Sequence, residues 1–377
     1  KSFIFFGSPG LPWIYPLAMN LGKLGGEDFT INLVSFLPFT KIKSKWSYDD
    51  PEKYTKRITW SYPAGFASKL KLAFEPFIKY RLNKLVSDLH KKTGSHPFII
   101  IDSPWSYPYT VDIDPDYLIY LNYDNFFVNC EDSLIEERLI KHAGTILCSS
   151  TSQTSSFKND YQIRKNDIFY FPHGAHDSFI NPLNSVVDEK LVCIVGALSA
   201  RYDWNLIKKV VKKMPDIKFL FVGDIDKGDH VDKFDFWMND CKIILSLPNV
   251  EWISNLKHSQ SFIYYWKSVV NWMPYDSNLK FVKSCSPLKL VDGIASGNSV
   301  ISSEVPECIN YPDWVSIYQN SDEAEKLIYA SIKMVNSPDY LNYKYRQLNF
   351  SIKNNWKSRA ESICNIIDRK NCNPPNN

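Results

Sequence analysis

Short apolar runs alternate along the chain with longer stretches in which apolar residues recur at helical spacing. The first pattern predicts strands at residues 2–7, 29–36, 98–102, 117–123, 145–149 and 168–171. Between them, helices are expected over 66–91 and 132–143. The rhythm repeats in the second half, with strands at 190–195, 218–222, 250–252, 268–273, 299–302 and 315–317. Helices fall at 204–213, 256–265, 287–295 and 321–336, and one long amphipathic helix is expected over 343–369. Strands alternating with helices argue for α/β architecture built on parallel sheets. A polar, turn-rich seam near 175–190 divides the chain into a domain at 1–178 and a second at 186–342. The closing helix, within 343–377, is expected to pack back on the first domain. Two such sheets present the carboxyl ends of their strands to ligands, so a cleft between the domains is the expected site.

Composition removes several classes. The 377 residues are 44% hydrophobic and 23% charged, which excludes a largely disordered chain. No apolar run approaches the ~20 residues of a membrane helix. The first residues, Lys1-Ser2-Phe3-Ile4-Phe5-Phe6, open directly into a strand and lack signal-peptide architecture. Eight cysteines without a CxxC pair read as buried reduced thiols of a cytoplasmic-type compartment, with zinc disfavoured. Net charge is +3, and no reading motif supports nucleic acid. The basic excess lies in residues 41–92, where 13 Lys/Arg face 5 Asp/Glu and alternate with Trp46, Tyr48, Tyr54, Trp60, Tyr62, Phe66, Phe74, Phe77 and Tyr80. That mixture suits peripheral contact with an anionic membrane surface and equally a solvated face over core aromatics. Aromatic residues make up 15% of the chain, against only 14 glycines, which leaves few for phosphate loops.

The densest chemical signal is Ser286-Pro-Leu-Lys-Leu-Val-Asp-Gly-Ile-Ala-Ser-Gly-Asn-Ser-Val-Ile301. A polar loop with Pro287 and Leu288 feeds a short helix that carries Lys289 and Asp292. Lys289 and the first-turn amides suit a diphosphate. Asp292, one turn in, suits ribose hydroxyls. An ordinary surface helix ended by Gly297 accounts for the same residues.

This segment resembles the nucleotide-sugar motif of group 1 glycosyltransferases of the GT-B fold, a Lys-Leu-x-Glu helix followed by Ala-x-Gly-x-Pro-Val and a buried strand. Other landmarks follow in family order. Val195-Gly-Ala-Leu-Ser-Ala-Arg-Tyr-Asp203 is similar to the segment opening the donor domain, and Phe171-Pro-His-Gly-Ala175 to the turn at the domain junction. Phe219-Leu-Phe-Val-Gly223, Asn249-Val-Glu-Trp252 and Met273-Pro-Tyr275 come between, and Tyr123-Asp124, Glu136-Glu137 and Cys148-Ser-Ser150 match the first half. Within the fold, the likeness extends to the xanthan-pathway glucuronosyltransferase. Asp292 is shorter than the family's ribose-binding glutamate. The partner glutamate of the family's Glu-x7-Glu pair falls near Ser284, so the pair is broken, and Asn298-Ser299 replaces the usual Gly/Lys-Pro.

The resemblance implies two Rossmann-like domains and a metal-independent transferase without a cofactor. It would move a sugar from a nucleotide diphosphate, with UDP favoured, to a saccharide or lipid-linked acceptor. Lys289, Asp292, Arg201, Tyr275, Pro287, Leu288 and Gly196 are the donor candidates. Arg201 also reads as solvated, and Tyr275 as core. Gly7, Ser8 and Trp13, after the first strand, fall where the fold presents its acceptor loop; a plain tight turn explains them too. His173 reads as a donor to phosphate or sugar, or as a satisfied turn histidine. Asp124 ends a strand and is placed by the resemblance as the general base of an inverting reaction; an Asx-type cap is the competing assignment. The strings Asp112-Ile-Asp114 and Asp224-Ile-Asp226 read as turns, not metal sites. A non-catalytic nucleotide-sugar- or carbohydrate-binding protein and a same-fold epimerase are the alternatives in function.

Overall fold

The computed structural model describes residues 1–7, 11–38, 54–63, 71–123, 130–183, 185–226 and 234–372. It divides into two compact units: residues 1–173 with 356–377, and residues 174–355.

The first unit is built on a seven-stranded, wholly parallel sheet: β1 (Ser2–Gly7), β2 (Thr30–Pro38), β3 (Thr55–Tyr62), β4 (Phe98–Ile101), β5 (Leu118–Asn122), β6 (Thr145–Cys148) and β7 (Ile168–Tyr170). Their spatial order is β3-β2-β1-β4-β5-β6-β7. Central strands such as Phe98-Ile-Ile-Ile101 are apolar throughout because helices cover both faces of a parallel sheet. β3, absent from the sequence expectation, is one of the two edge strands. It lies within the basic stretch, where charges at Lys56 and Arg57 mask the alternation that marks a strand. Trp60 from β3 and Phe74 from the helix α2 (Lys71–Thr93) are buried in the core, whereas Phe77 and Tyr80 of α2 stay exposed. Trp46, Tyr48 and Phe66 lie outside the described residues.

The second unit has a six-stranded parallel sheet, ordered β10-β9-β8-β11-β12-β13. The strands are β8 (Asp188–Val195), β9 (Lys218–Val222), β10 (Val250–Ile253), β11 (Ser268–Met273), β12 (Ser299–Ser303) and β13 (Val315–Tyr318). Residues 174–183 are no free linker. Phe179 is fully buried against Tyr265, and the Trp266 indole donates to its carbonyl at 2.8 Å. The second unit therefore begins at Gly174, ahead of the expected 186.

The long closing helix of the sequence expectation is broken into two, Tyr340–Lys353 and Trp356–Cys372. Asn354 and Asn355 interrupt it, and the Ala175 amide bonds the Asn354 carbonyl at 3.0 Å. The helix 340–353 belongs to the second unit; only 356–372 packs on α1 (Ile14–Gly25) of the first. The interruption follows from asparagine's low helix propensity and its competing local hydrogen bonds. Among the described residues, no helix is long and apolar enough to cross a membrane. Buried thiols such as Cys148, Cys193 and Cys308 are unpaired, and desolvation raises their pKa.

Lys344, in the helix 340–353, is 1% exposed and donates to Ser185 Oγ at 2.8 Å. Gly297, at φ +71°, leaves room for its stem: a Cβ there would stand 2.6 Å from Lys344 Cγ. Burial lowers the Lys344 pKa to about 8. The unfolded chain thus holds more protons between about 8 and the ordinary lysine value, so stability rises with pH across that window. Lys344→Met should stabilise the protein at pH 7 by about 1–3 kcal/mol and flatten that alkaline rise, as read from urea unfolding at several pH values.

Candidate active site

In the second unit the strand order reverses between β8 and β11. Ligands of open parallel sheets bind outside the carboxyl ends of the strands flanking such a reversal. β8 ends at Val195, and Gly196 follows at φ +116°; β9 ends at Val222, and Gly223 follows at φ +144°. The Gly196 amide bonds the Val222 carbonyl at 2.8 Å. Both glycines adopt backbone conformations closed to L side chains. A Cβ on Gly196 would stand 2.9 Å from Lys289 Nζ, so its bare backbone makes the room into which the lysine reaches.

Lys289 lies on the helix Leu288–Ala295, for which Pro287 is the N-cap. No side chain caps this start, and the Leu290 amide closes back on the Pro287 carbonyl at 3.0 Å. Lys289 Nζ donates to the Tyr202 hydroxyl at 2.5 Å. It also lies 4.7 Å from the Tyr202 ring centroid and 5.0 Å from that of Tyr275. These two tyrosines are joined by an antiparallel bridge, with rings 5.5 Å apart. Tyr275 is buried in this aromatic wall. Among the described residues no carboxylate pairs with Lys289. Burial lowers its pKa to about 7, and the nearby Arg201 charge pushes the same way. The Arg201 guanidinium stacks on Phe281 at 3.9 Å. A buried lysine without a carboxylate counter-charge, with Arg201 acting on it, is an arrangement that suits an anion.

Asp292, one turn after Lys289, is 1% exposed. Its Oδ2 meets His258 Nε2 at 2.8 Å, and its Oδ1 is buried without a partner among the described residues. The His258 ring stacks on Phe179 at 4.9 Å. Nothing in the sequence marked His258, which lies 34 positions from Asp292 in a stretch that reads as a helix start. Asn298, the departure from the family's Gly/Lys-Pro, has a structural task. Its amide donates to the carbonyls of Tyr265 and Trp266 at 3.0 and 2.9 Å and fixes the loop after the helix.

The first unit has its own reversal, between β1 and β4. Gly7 ends β1 at φ +120°, and Asp102 follows β4. Trp13 is the N-cap of α1, 6.1 Å from the Tyr123 ring and 6.3 Å from that of His173. His173 is buried, stacked on Tyr123 at 4.7 Å and edged by Trp356 at 6.1 Å. The structure thus gathers Gly7, Trp13 and His173, together with Asp102 and Tyr123, at one end of the sheet. Asp124 and Ser8 lie outside the described residues. Glu136, fully buried, accepts hydrogen bonds from the Tyr120 hydroxyl at 2.6 Å and from Asn122 at 2.8 Å, which ties its helix to β5. Asp114 caps a turn through the Asp116 amide at 3.1 Å, and Asp224 accepts from the Asn255 amide at 2.6 Å. Among the described residues no group of three or more His, Cys, Asp or Glu is placed to hold a metal.

Two parallel-sheet units of this kind are the GT-B architecture, and the structural neighbours are glycosyltransferases of that fold. HepE from Anabaena, solved in complex with UDP-glucose, superposes with a TM-score of 0.67 at 11% identity, covering 98% of this chain and 99% of that one. Sucrose-phosphate synthase from Thermosynechococcus elongatus gives 0.68 at 12%, covering 99% of each. No known family model matches the sequence. In sequence, the chain is 22% identical over 238 residues to TuaH of Bacillus subtilis, named for a glycosyltransferase of teichuronic acid biosynthesis. That match takes in 60% of this chain and 57% of the relative's length.

Proposed function

We propose that this protein is a glycosyltransferase that draws its sugar from a UDP-linked donor and passes it to a saccharide or lipid-linked saccharide. The observation that carries this reading is Lys289, a desolvated amine held by Tyr202 and Tyr275 at the β8/β11 reversal with Arg201 nearby. As the anomeric carbon–oxygen bond breaks, its electron pair and negative charge pass to the diphosphate. Pre-placed cations stabilise that developing charge without reorganising. Asp292 would offer its unpartnered Oδ1 to the ribose while His258 holds Oδ2. The chemistry needs no cofactor and, with two cations in place of a metal, no divalent ion.

A thermal-shift panel of UDP, GDP, CMP and ADP sugars tests the reading, followed by an assay of nucleotide release with and without saccharide acceptors. A shift with the UDP donor and acceptor-dependent release are expected. Binding without acceptor-dependent release would instead make the chain a nucleotide-sugar-binding protein, and release of an isomerised sugar an epimerase.

Lys289 also gives binding a pH signature. In the free protein its proton is half lost at about pH 7. A diphosphate beside it restores the ammonium, so binding above that pH takes up a proton. UDP affinity should fall as pH rises from 7 to 9. Titration calorimetry at pH 8 in buffers of different ionisation enthalpy should report uptake approaching one proton.

A further inference from the structure

We propose that Asp102 is a catalytic residue of the first unit, the carboxylate that takes the proton from the attacking saccharide hydroxyl. This rests on the glycosyltransferase reading above and adds to it a residue that the motif resemblance does not mark.

Position is the first argument. Asp102 directly follows β4, and Gly7 ends β1, so the two flank the reversal in strand order where an open parallel sheet binds its ligand. Space is the second. Gly7, at φ +120°, carries no side chain; a Cβ there would stand 3.7 Å from Asp102 Oδ1 and 2.7 Å from Ser106 Oγ. The carboxylate's flank is therefore bare backbone. The third argument is the set of groups facing it: Trp13 at the start of α1, Ser106 from the turn Pro104–Tyr109, and Tyr123 after β5, with Arg359 of the helix 356–372 acting on Tyr123. Among the described residues no lysine or arginine pairs with Asp102. Among these residues, then, no ion pair holds the carboxylate in its charged form. Beside it, the Tyr123 hydroxyl is buried and without a hydrogen-bond partner among the described residues. A buried hydroxyl without a partner, beside a carboxylate without an ion pair, offers two polar groups to one ligand. A saccharide hydroxyl satisfies both.

Two further features agree. Burial raises the Asp102 pKa to about 7, against the pull of its own backbone amide and the Trp13 indole. A general base works best when its pKa lies near the operating pH. Three residues on, the Trp105 side chain is 55% exposed on the turn Pro104–Tyr109. An exposed indole next to a polar site suits the apolar face of a sugar ring. In the step itself, the acceptor oxygen bonds to the anomeric carbon and the bond from that carbon to the diphosphate breaks. The electron pair leaves on UDP, and the hydroxyl proton passes to Asp102, which then returns it to water.

The test compares wild type, Asp102→Asn and Asp124→Asn in full-length protein, with the UDP-sugar and acceptor that the panel identifies. In wild type saturated with the UDP-sugar, which keeps Lys289 protonated, kcat/KM for the acceptor should rise with pH through about 7, because the ionised carboxylate is the active form. Asp102→Asn should lower kcat by about 10²–10⁴-fold and abolish this rise, with UDP affinity unchanged and the unfolding temperature no lower than in wild type. Asp124→Asn should keep the rise. Near-normal kcat in Asp102→Asn overturns the proposal. So does loss of the pH rise in Asp124→Asn alone, or a loss in Asp102→Asn accompanied by loss of UDP binding or of the fold. Wild-type protein without turnover would sink the functional reading and this proposal together; an active wild type matched by an active Asp102→Asn sinks this one alone.

Discussion

Replacing Lys289 with methionine is expected to weaken UDP binding about 100-fold while leaving the protein at least as stable as wild type. The two halves of that result have separate causes. Truncating one partner of a buried, hydrogen-bonded charge pair costs about 2–5 kcal/mol of binding, which brackets the stated fold-change. In the free protein, however, the amine has only a tyrosine hydroxyl at 2.5 Å and two ring faces to offset its desolvation. Methionine fills the same length against Tyr202 and Tyr275 without a charge to desolvate. The proton uptake on UDP binding should disappear with the amine. Calorimetry reads affinity and proton uptake, and thermal unfolding reads stability. Undiminished UDP affinity in Lys289→Met would remove the observation on which the functional proposal stands.

The second large effect is expected at Gly223, which touches no proposed ligand. An added Cβ would collide with the Gly196 carbonyl, lying 2.7 Å from its carbon, and the residue's φ of +144° is strained for any L side chain. Neither atom it meets belongs to a flexible side chain, so relief requires moving the ends of β8 and β9. Gly223→Ala should cost about 3 kcal/mol or more, the range of mutations that combine backbone strain with overpacking. Because Gly196 is also the surface over which Lys289 reaches, UDP affinity should fall with stability. Urea unfolding and a UDP titration check the pair, and a variant as stable as wild type would contradict the packing described for these strand ends.

What could be read from the sequence was local. The helix around Lys289 announces itself within a dozen residues, as apolar spacing, a lysine and a terminal glycine. The two sheets follow from apolar runs whose neighbours are helical. What escaped is what chain separation hides. β3 is an edge strand whose charges blur its alternation, and its place beside β2 is settled by pairing. His258 meets Asp292 only because the turn after β10 folds over the helix that carries Asp292. The first-unit cluster depends on strand order: Asp102 and Gly7 are far apart in sequence and become neighbours because β4 is laid against β1. Asp102 itself sits in Ile101-Asp-Ser-Pro104, a string that reads as a strand end and turn and carries no hint that burial will perturb its acid.

The passage of the last helix into the first unit has a consequence for how the protein is made. Residues 174–355 form one uninterrupted stretch, so the second unit is complete once that stretch leaves the ribosome. The first unit is started earlier and finished later. Its α1 waits for the helix 356–372, which brings the buried Trp356, Ala360, Ile363 and Ile367. At about 5–20 residues per second, the intervening stretch takes on the order of 10–40 s to synthesise. For that interval the earlier-made half of the chain exposes an apolar face on α1. The order of synthesis and the order of completion are therefore reversed.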